Sequence, residues 1–304
     1  MTANQPLISI LMRYYKLGDY LKEAIKSLQA QTYTNWELLV VDDASPECFA
    51  RDVLAGENDA RIRICRIDES RGAAAARNTA AENSTGAVFV ILDSNDLLAP
   101  QYIERTFHAM KESAAAAAYC DVQIFGTESY VYKPKADLGV IFSGHYPHNT
   151  LMVTREAFNA VGGYRQYGNI EGLHFWVSLL EHGIKFAHVP EPLYLYRKHE
   201  ESNNQKTNKT LSSNFRTLLL DHKDSVAQHL PSLLNKKIED LDAEIKEAEM
   251  RAKYTQLHHE FHALLARYEA LEKQASASET MLSSISWLSG RFTQLCLKRL
   301  GMQK

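Results

Sequence analysis

The sequence predicts an α/β protein in which a mainly parallel sheet is flanked by helices and followed by a C-terminal helical extension. Apolar runs of strand length alternate with amphipathic segments along residues 7–113, as they do in repeated strand–helix–strand units. The composition is that of a globular protein, with 45% hydrophobic and 23% charged residues. Beyond residue 236 the apolar residues change to heptad spacing, which is typical of long helices.

Each predicted strand is a short apolar run, and each predicted helix carries apolar residues at helical spacing. The strands are 7–12, 36–41, 61–67 and 87–92, and the helices are 19–30, 71–83, 100–113 and 171–182. Asp19 is the expected N-cap of the first helix. Right-handed crossovers bring the carboxyl ends of parallel strands to one edge, where ligands bind in sheets of this kind.

The C-terminal third is predicted to be a separate helical extension of an α/β domain formed by residues 1–204. Residues 205–235 are a linker or helical connector that continues the polar stretch 202–212. The heptad spacing over 236–275 predicts a helix that forms a coiled coil with another copy or folds back on its own domain. Residues 276–304 are apolar and basic, which favours either adhesion to an anionic membrane surface or packing in a dimer interface.

Charge and cysteine content exclude several classes of protein. The net charge of −3 argues against a general nucleic-acid binder. None of the four cysteines forms a Cys-x-x-Cys pair, so a zinc or redox motif is not expected, and their low density fits a reducing cytoplasm. We find no signal peptide and no apolar stretch of the roughly 18 residues that a membrane span needs. We therefore expect a cytoplasmic protein.

Carboxylates at two predicted strand ends are candidate ligand-binding residues. Asp93, Asn95 and Asp96 follow the fourth strand, where hard oxygen ligands can hold Mg²⁺ or Mn²⁺. The alternative is an Asx-rich turn that caps the next helix. Asp42 and Asp43 follow the second strand, where a carboxylate can accept the imide N–H of a pyrimidine or a ribose hydroxyl, or can cap a helix.

Two arginines and one histidine complete the candidates that the residues themselves suggest. Arg71 and Arg77 flank four alanines at the start of the third helix, and their forked donors suit diphosphate oxygens. The alternative is a small-residue helix packed on the sheet. His199 follows a predicted strand and is a candidate metal ligand, although a lone histidine more often has no such role.

Taken together, five segments resemble the inverting GT-A glycosyltransferases of family 2. The resemblance covers about residues 6–202 and runs in the family's order. The segments are PLISILMRYYKLGDYLKEAIKSLQAQTYTNWELLVVDDAS (6–45), RGAAAARN (71–78), VILDSND (90–96), Gly162-Gly163-Tyr164 and PEPLYLYRKHEES (190–202). Each segment is weak evidence alone, but five in this order are specific.

The resemblance implies a GT-A (Rossmann-like) fold, a nucleotide-diphosphate-sugar donor, a divalent cation and a glycan or lipid-linked acceptor. A general base would deprotonate the acceptor hydroxyl, and the sugar would be transferred with inversion. By matching positions, Asp43 would contact the nucleotide base and Arg77 would lie near the diphosphate, while Asp93 and Asn95 would form the Asp-x-Asp pair and His199 would be the late histidine. The family's lipid-linked acceptors also favour a peripheral place on the inner face of the membrane.

Three departures from the family pattern bear on activity. The segment that packs on the nucleotide base is Arg13 to Lys16, with Tyr15 as the candidate contact. The second residue of the metal pair is Asn95, which carries no charge, so Asp96 is an alternative ligand. These two departures put the choice of donor and the affinity for metal in question.

The third departure removes the family's expected catalytic base, since Gly172 stands where an Asp is usual. Glu171, one residue earlier, and His174, one helical turn beyond Glu171, are the candidate replacements. The leading hypothesis is an active glycosyltransferase of polysaccharide or glycoconjugate synthesis. The alternative is a weakened or inactive GT-A domain that binds sugars, nucleotides or protein partners. A nucleotidyltransferase would need a Gly-rich, basic loop after the first strand, which this sequence does not have.

Overall fold

The computed structural model describes residues 5–199 and 208–231, with the single position 263. The first half of the domain follows the predicted alternation of strands and helices. Its elements are β1 (Ile8–Tyr14), α1 (Gly18–Gln29), β2 (Trp36–Asp43), α2 (Ala50–Val53), β3 (Ile62–Ile67), α3 (Gly72–Glu82) and β4 (Val88–Ile91). The predicted strands and helices of this half are confirmed to within two residues at each end, and α2 is an addition.

The second half has shorter and more irregular elements. They are β5 (Leu97–Leu98), α4 (Tyr102–Ser113), β6 (Ala117–Gly126), β7 (Tyr130–Tyr132), α5 (Leu138–Phe142), β8 (Met152–Thr154), α6 (Arg155–Ala160), α7 (Glu171–Glu181), β9 (Phe186–Lys198) and α8 (Asn208–Asp221). The predicted helices 100–113 and 171–182 correspond to α4 and α7.

All nine described strands belong to one sheet with the order β3-β2-β1-β4-β8-β6-β9-β5, and β7 pairs with β6. The strands from β3 to β4 are parallel, as predicted. The rest of the sheet is mixed, because β8 lies antiparallel to both β4 and β6. The α/β fold class is confirmed, and the second half combines antiparallel pairs with one long parallel pair, β6 with β9.

Helices cover both faces of the sheet, which explains why the central strands are continuous apolar runs. Side chains of β1 alternate between the two faces: Ile8, Ile10 and Met12 pack in the same core cluster as α1 and α4. Leu11 packs in the other cluster, with α3, α6 and α7. The result is a three-layer domain whose parallel strand ends point to one edge.

One local expectation was wrong. Asp19 is not the N-cap of α1: Leu17 occupies that position with a positive φ of 57°, and Asp19 is exposed in the first turn, where its charge favours the helix dipole. The segment 205–235, for which a linker or a helical connector was expected, contains α8 from Asn208.

The helix α8 packs on the α/β domain. The amide of Asn214 donates to Asn169 at 3.0 Å, and the hydroxyl of Tyr167 donates to Asp221. Leu218 is fully buried in the core cluster that contains α7. The predicted coiled coil (236–275) and basic tail (276–304) lie outside the described residues, position 263 excepted. No helix in the described part of the chain is both long and apolar enough to cross a bilayer.

Candidate active site

The candidate residues gather at the edge where β1, β2 and β4 end. Asp42 and Asp43 are the last residues of β2, and Asp93 follows β4 by two positions. Arg13 and Tyr14 end β1 between them in the sheet. This is the edge at which parallel α/β sheets bind ligands.

Asp43 is fully buried, and its carboxylate is engaged on both oxygens. Oδ1 accepts the backbone N–H of Arg71 at 2.9 Å. Oδ2 accepts Nε of Arg13 at 2.9 Å and the hydroxyl of Ser70 at 3.1 Å, and Nη2 of Arg13 lies 2.8 Å away. A ligand that uses this carboxylate must therefore compete with Arg13.

Asp42 stabilises the backbone after β2. Its oxygens accept the N–H groups of Ser45 at 2.8 Å and Ala50 at 2.9 Å, and Arg66 lies 3.1 Å away. Ala50 is the first residue of α2, so Asp42 supports the start of that helix. Its side chain is 1% exposed. The structure therefore favours the capping interpretation of Asp42 over direct contact with a nucleotide.

Tyr15 and Arg71 lie at the same edge and are exposed. The ring of Tyr15 is 37% exposed, with the guanidinium of Arg13 at 5.2 Å and the ammonium of Lys16 at 5.3 Å from its centroid. Arg71 ties the start of α3 to Asp43 through its backbone, and its side chain is exposed. Both side chains are accessible to a ligand.

Arg77 is the centre of the site. It is 4% exposed, and its Nη2 donates to Asp93 at 2.6 Å while its Nη1 donates to Glu171 at 3.0 Å. Burial opposes the charge, but the carboxylate of Asp93, the hydroxyl of Tyr164 and the carboxylate of Glu171 raise the pKa of Arg77, so the guanidinium stays charged. One buried cation thus joins the end of β4 to the start of α7. Because Arg77 is buried, it reaches the exposed edge only through its contact with the partly exposed Asp93.

The Gly-Gly-Tyr turn is locked onto α3 next to Arg77. Asn78 donates to the carbonyl of Tyr164 at 2.8 Å and accepts its N–H at 2.9 Å. Gly163 has a φ of +67°, and a Cβ there would lie 2.7 Å from Oδ1 of Asn78. A glycine is required for this approach, and the turn positions the start of α7.

Of the two candidate bases, the structure brings only Glu171 to the site. Its Oε1 accepts from Arg77, and its Oε2 is buried without a hydrogen-bond partner among the described residues. His174 is 1% exposed and stacks on Tyr167 at 4.1 Å, with the ring of His222 at 5.2 Å. The structure therefore places His174 against Tyr167 and His222, whereas Glu171 contacts Arg77. The role of His174 as a base stays a prediction.

The family model for glycosyl transferase family 2 matches residues 9–168, which is more than half of the chain. The chain belongs to this family. TuaG of Bacillus subtilis, a glycosyltransferase named for teichuronic acid biosynthesis, is 28% identical over 212 residues, which cover 65% of this chain and 81% of TuaG. WfgD of Escherichia coli, a UDP-Glc:α-D-GlcNAc-diphosphoundecaprenol β-1,3-glucosyltransferase, is 35% identical over 127 residues, which cover 42% of this chain and 50% of WfgD.

Solved structures share the fold of this family 2 member. TarS of Staphylococcus aureus, residues 1–349 in complex with UDP-GlcNAc, superposes with a TM-score of 0.61 at 15% sequence identity. The match covers 82% of this chain and 78% of the TarS fragment. The GT-A fold expected from the motifs is confirmed.

The metal candidates of this glycosyltransferase divide into two groups. Asp93 has a side chain 32% exposed, and the side chain of Asn95 lies 3.3 Å from Nε2 of His199. A cavity of about 430 Å³ opens beside His199, between Tyr20 on α1 and the end of β9. Asp93, Asn95 and His199 are each partly exposed.

Asp96, by contrast, is engaged by β9. It is fully buried, with Oδ1 accepting the N–H of Arg197 at 2.8 Å and Oδ2 accepting the hydroxyl of Tyr194. Burial, together with the charge of Asp93, raises the pKa of Asp96 to about 8. Its role as a metal ligand stays a prediction, and it would require one of these contacts with β9 to open.

The residues present fit a cation that is shared with a diphosphate. Within residues 5–199 and 208–231, no three His, Cys, Asp or Glu side chains are grouped to hold a metal ion. Mg²⁺ commonly binds through one or two carboxylates together with substrate phosphates and keeps several waters. Asp93 can supply that carboxylate, with Asn95 and His199 alongside.

Sequence reasoning missed two residues of the site. Arg13 was treated only as a departure from the family pattern, although it pairs with Asp43. Asn149 was not considered, yet it contacts Tyr164 at 2.9 Å and lies against Gly172. It lies on the loop before β8, far from α7 in sequence, and no spacing in the sequence links it to the motifs.

Proposed function

We propose that the chain transfers a sugar from a nucleotide-diphosphate sugar to an acceptor hydroxyl with inversion. The observation that carries the proposal is the Asp93–Arg77–Glu171 bridge. It joins a donor-side carboxylate to a carboxylate that has one oxygen without a partner among the described residues. Membership of family 2 supports the reaction class. The names of TuaG and WfgD support polysaccharide or glycoconjugate synthesis, with a glycan or lipid-linked acceptor and a UDP-sugar donor.

Glu171 is the proposed general base. The acceptor oxygen attacks the anomeric carbon as the bond from that carbon to the diphosphate oxygen breaks. The hydroxyl proton passes to Oε2 of Glu171, and the nucleoside diphosphate leaves with the bonding electron pair. Arg77 donates to Oε1 of Glu171 and fixes that oxygen, so that Oε2 is the one without a competing hydrogen bond among the described residues.

On the donor side, Tyr15 and Asp43 are proposed to lie at the nucleotide base and Arg71 near the diphosphate. Mg²⁺ or Mn²⁺ held by Asp93 with the diphosphate, next to Asn95 and His199, would supply positive charge for the leaving group.

Release of UDP from a UDP-sugar in the presence of Mn²⁺ tests the assignment of the base. Glu171→Gln should lower the rate by about 10²–10⁴-fold, the usual cost of losing a general base. Glu181→Gln is the matched control, because Glu181 lies at the other end of the same helix and pairs with His222 at 2.6 Å. Equal rates for wild type and Glu171→Gln would contradict the assignment.

The second candidate function is a GT-A domain that binds nucleotide sugars without turnover. Gly172 favours it, because that position carries no carboxylate. UDP binding by calorimetry, without UDP release from any donor in a panel of UDP-, dTDP- and GDP-sugars, would support this second function over the first.

A further inference from the structure

Gly172 is a glycine for reasons of space and not of backbone conformation. It lies in the first turn of α7, and its φ is not among the positive values of the described glycines. A Cβ at this position would lie 2.5 Å from the terminal amide atom of Asn149 that faces Tyr164, 2.9 Å from its Cγ and 3.1 Å from its Cβ. Since glycine costs a helix about 1 kcal/mol relative to alanine, the close approach of Asn149 is the feature that accounts for it.

The side chain of Asn149 fills this space and contacts the guanidinium of Arg77. The amide orientation that satisfies both neighbours directs its nitrogen to the hydroxyl of Tyr164 at 2.9 Å. Its oxygen then accepts from Nη2 of Arg77 at 2.8 Å and from Nε at 3.2 Å. Asp93 accepts from Nη2 and Glu171 accepts from Nη1 of the same guanidinium. Asn149 is thus the third acceptor on a buried cation.

The loop that carries Asn149 is itself anchored on α7. The indole N–H of Trp176 donates to the carbonyl of His148 at 3.1 Å, and Trp176 is 1% exposed. The backbone next to Asn149 is therefore held on the helix that begins with Glu171. A side chain at position 172 would push against an anchored loop.

We propose that Asn149 is a positioning residue which holds Arg77 between Asp93 and Glu171. Its side chain occupies the volume that a side chain at position 172 would need. This inference rests on the proposed function for its effect on turnover. It assigns Gly172 and Asn149 as one coupled pair. It also means that Gly172→Asp cannot supply a base while Asn149 is in place.

The steric part is tested by thermal unfolding, which requires no turnover. Gly172→Ala should lower Tm by about 3–10 °C, the range for overpacking in a domain of this size. The Tm of the double variant Asn149→Ala/Gly172→Ala should be higher than the summed Tm losses of the two single variants predict. Gly56→Ala is the matched control, because a Cβ there meets nothing within 4 Å. A Gly172→Ala variant as stable as Gly56→Ala would overturn the pairing.

The positioning part is tested by a double-mutant cycle with Arg77→Lys, since lysine keeps the charge but lacks the planar fork whose separate nitrogens reach Asp93, Glu171 and Asn149. Asn149→Ala should lower kcat for UDP release at least tenfold, while the Kd for UDP stays within about twofold. The control is Asn159→Ala, at an exposed position, which should change neither kcat nor Kd. In the Arg77→Lys background, Asn149→Ala should have little further effect on kcat or Tm. Additive losses would overturn the inference. If wild type shows no turnover, the proposed function fails, and the Tm cycle still decides whether Asn149 acts through Arg77.

Discussion

Replacing His174 with phenylalanine should make the protein more resistant to mild acid. Burial, with the nearby charges of His222 and Arg165, lowers the pKa of His174 from 6.5 to about 4, against an opposing effect of Asp221. The ring stacks on Tyr167 at 4.1 Å. The folded state therefore holds this imidazole neutral between Tyr167 and His222.

The sign follows from the pKa being lower in the folded state than in the unfolded state. The stability that the buried, neutral His174 contributes is fully present above pH 6.5. It is lost as the pH falls towards 4, because only the unfolded chain takes up the proton in that range. One pKa unit corresponds to about 1.4 kcal/mol. At pH 5 the loss is about 2 kcal/mol, or about 4–8 °C in Tm for a domain of this size.

The measurement is Tm at pH 7 and at pH 5 for wild type and His174→Phe, which keeps an aromatic ring against Tyr167. The variant should lose about 4–8 °C less than wild type between the two values. His108→Phe is the control, because that histidine is 70% exposed on α4. If His174→Phe loses as much Tm as wild type, burial of a neutral His174 does not contribute to acid sensitivity.

Two further predictions concern the donor site and the C-terminal region. Asp93→Ala should abolish Mn²⁺-dependent binding of UDP in calorimetry, since Asp93 is the proposed carboxylate for the cation, and unchanged binding would refute that role. Truncation after residue 280 should prevent flotation with anionic liposomes at low salt without changing the oligomeric mass, because residues 276–304 are basic and apolar and residues 236–275 carry the heptads. A full-length chain that does not float rules out membrane adhesion, and a monomer in light scattering rules out the coiled coil.

The parallel half of the sheet could be predicted because its signals are local. Apolar runs such as Trp36–Asp43 form central strands, which lie between helical layers and are buried along their length. The mixed half could not be predicted in the same way. The strand β8 has three residues, and nothing in Met152–Thr154 indicates that it pairs antiparallel between β4 and β6.

The motifs predicted the edge at which the candidate site lies, and the structure brings Asp43, Asp93 and Arg77 to that edge. The contacts of the individual side chains depend on partners distant in sequence. Asp96 has the residue type of a metal ligand, but Tyr194 and Arg197 engage both its oxygens. His174 is one turn from Glu171, but its ring packs against His222, the residue after α8.

The sequence by itself determined the fold class, the family and the edge at which the site lies, because strand alternation and short motifs are properties of neighbouring residues. Tertiary structure alone decided which candidate side chains reach that edge. Arg77 contacts Glu171 across 94 positions of sequence, and Asn149 occupies the space left by Gly172. Such contacts depend on volume and on hydrogen-bond partners brought together by packing, which leave no periodic signal along the chain.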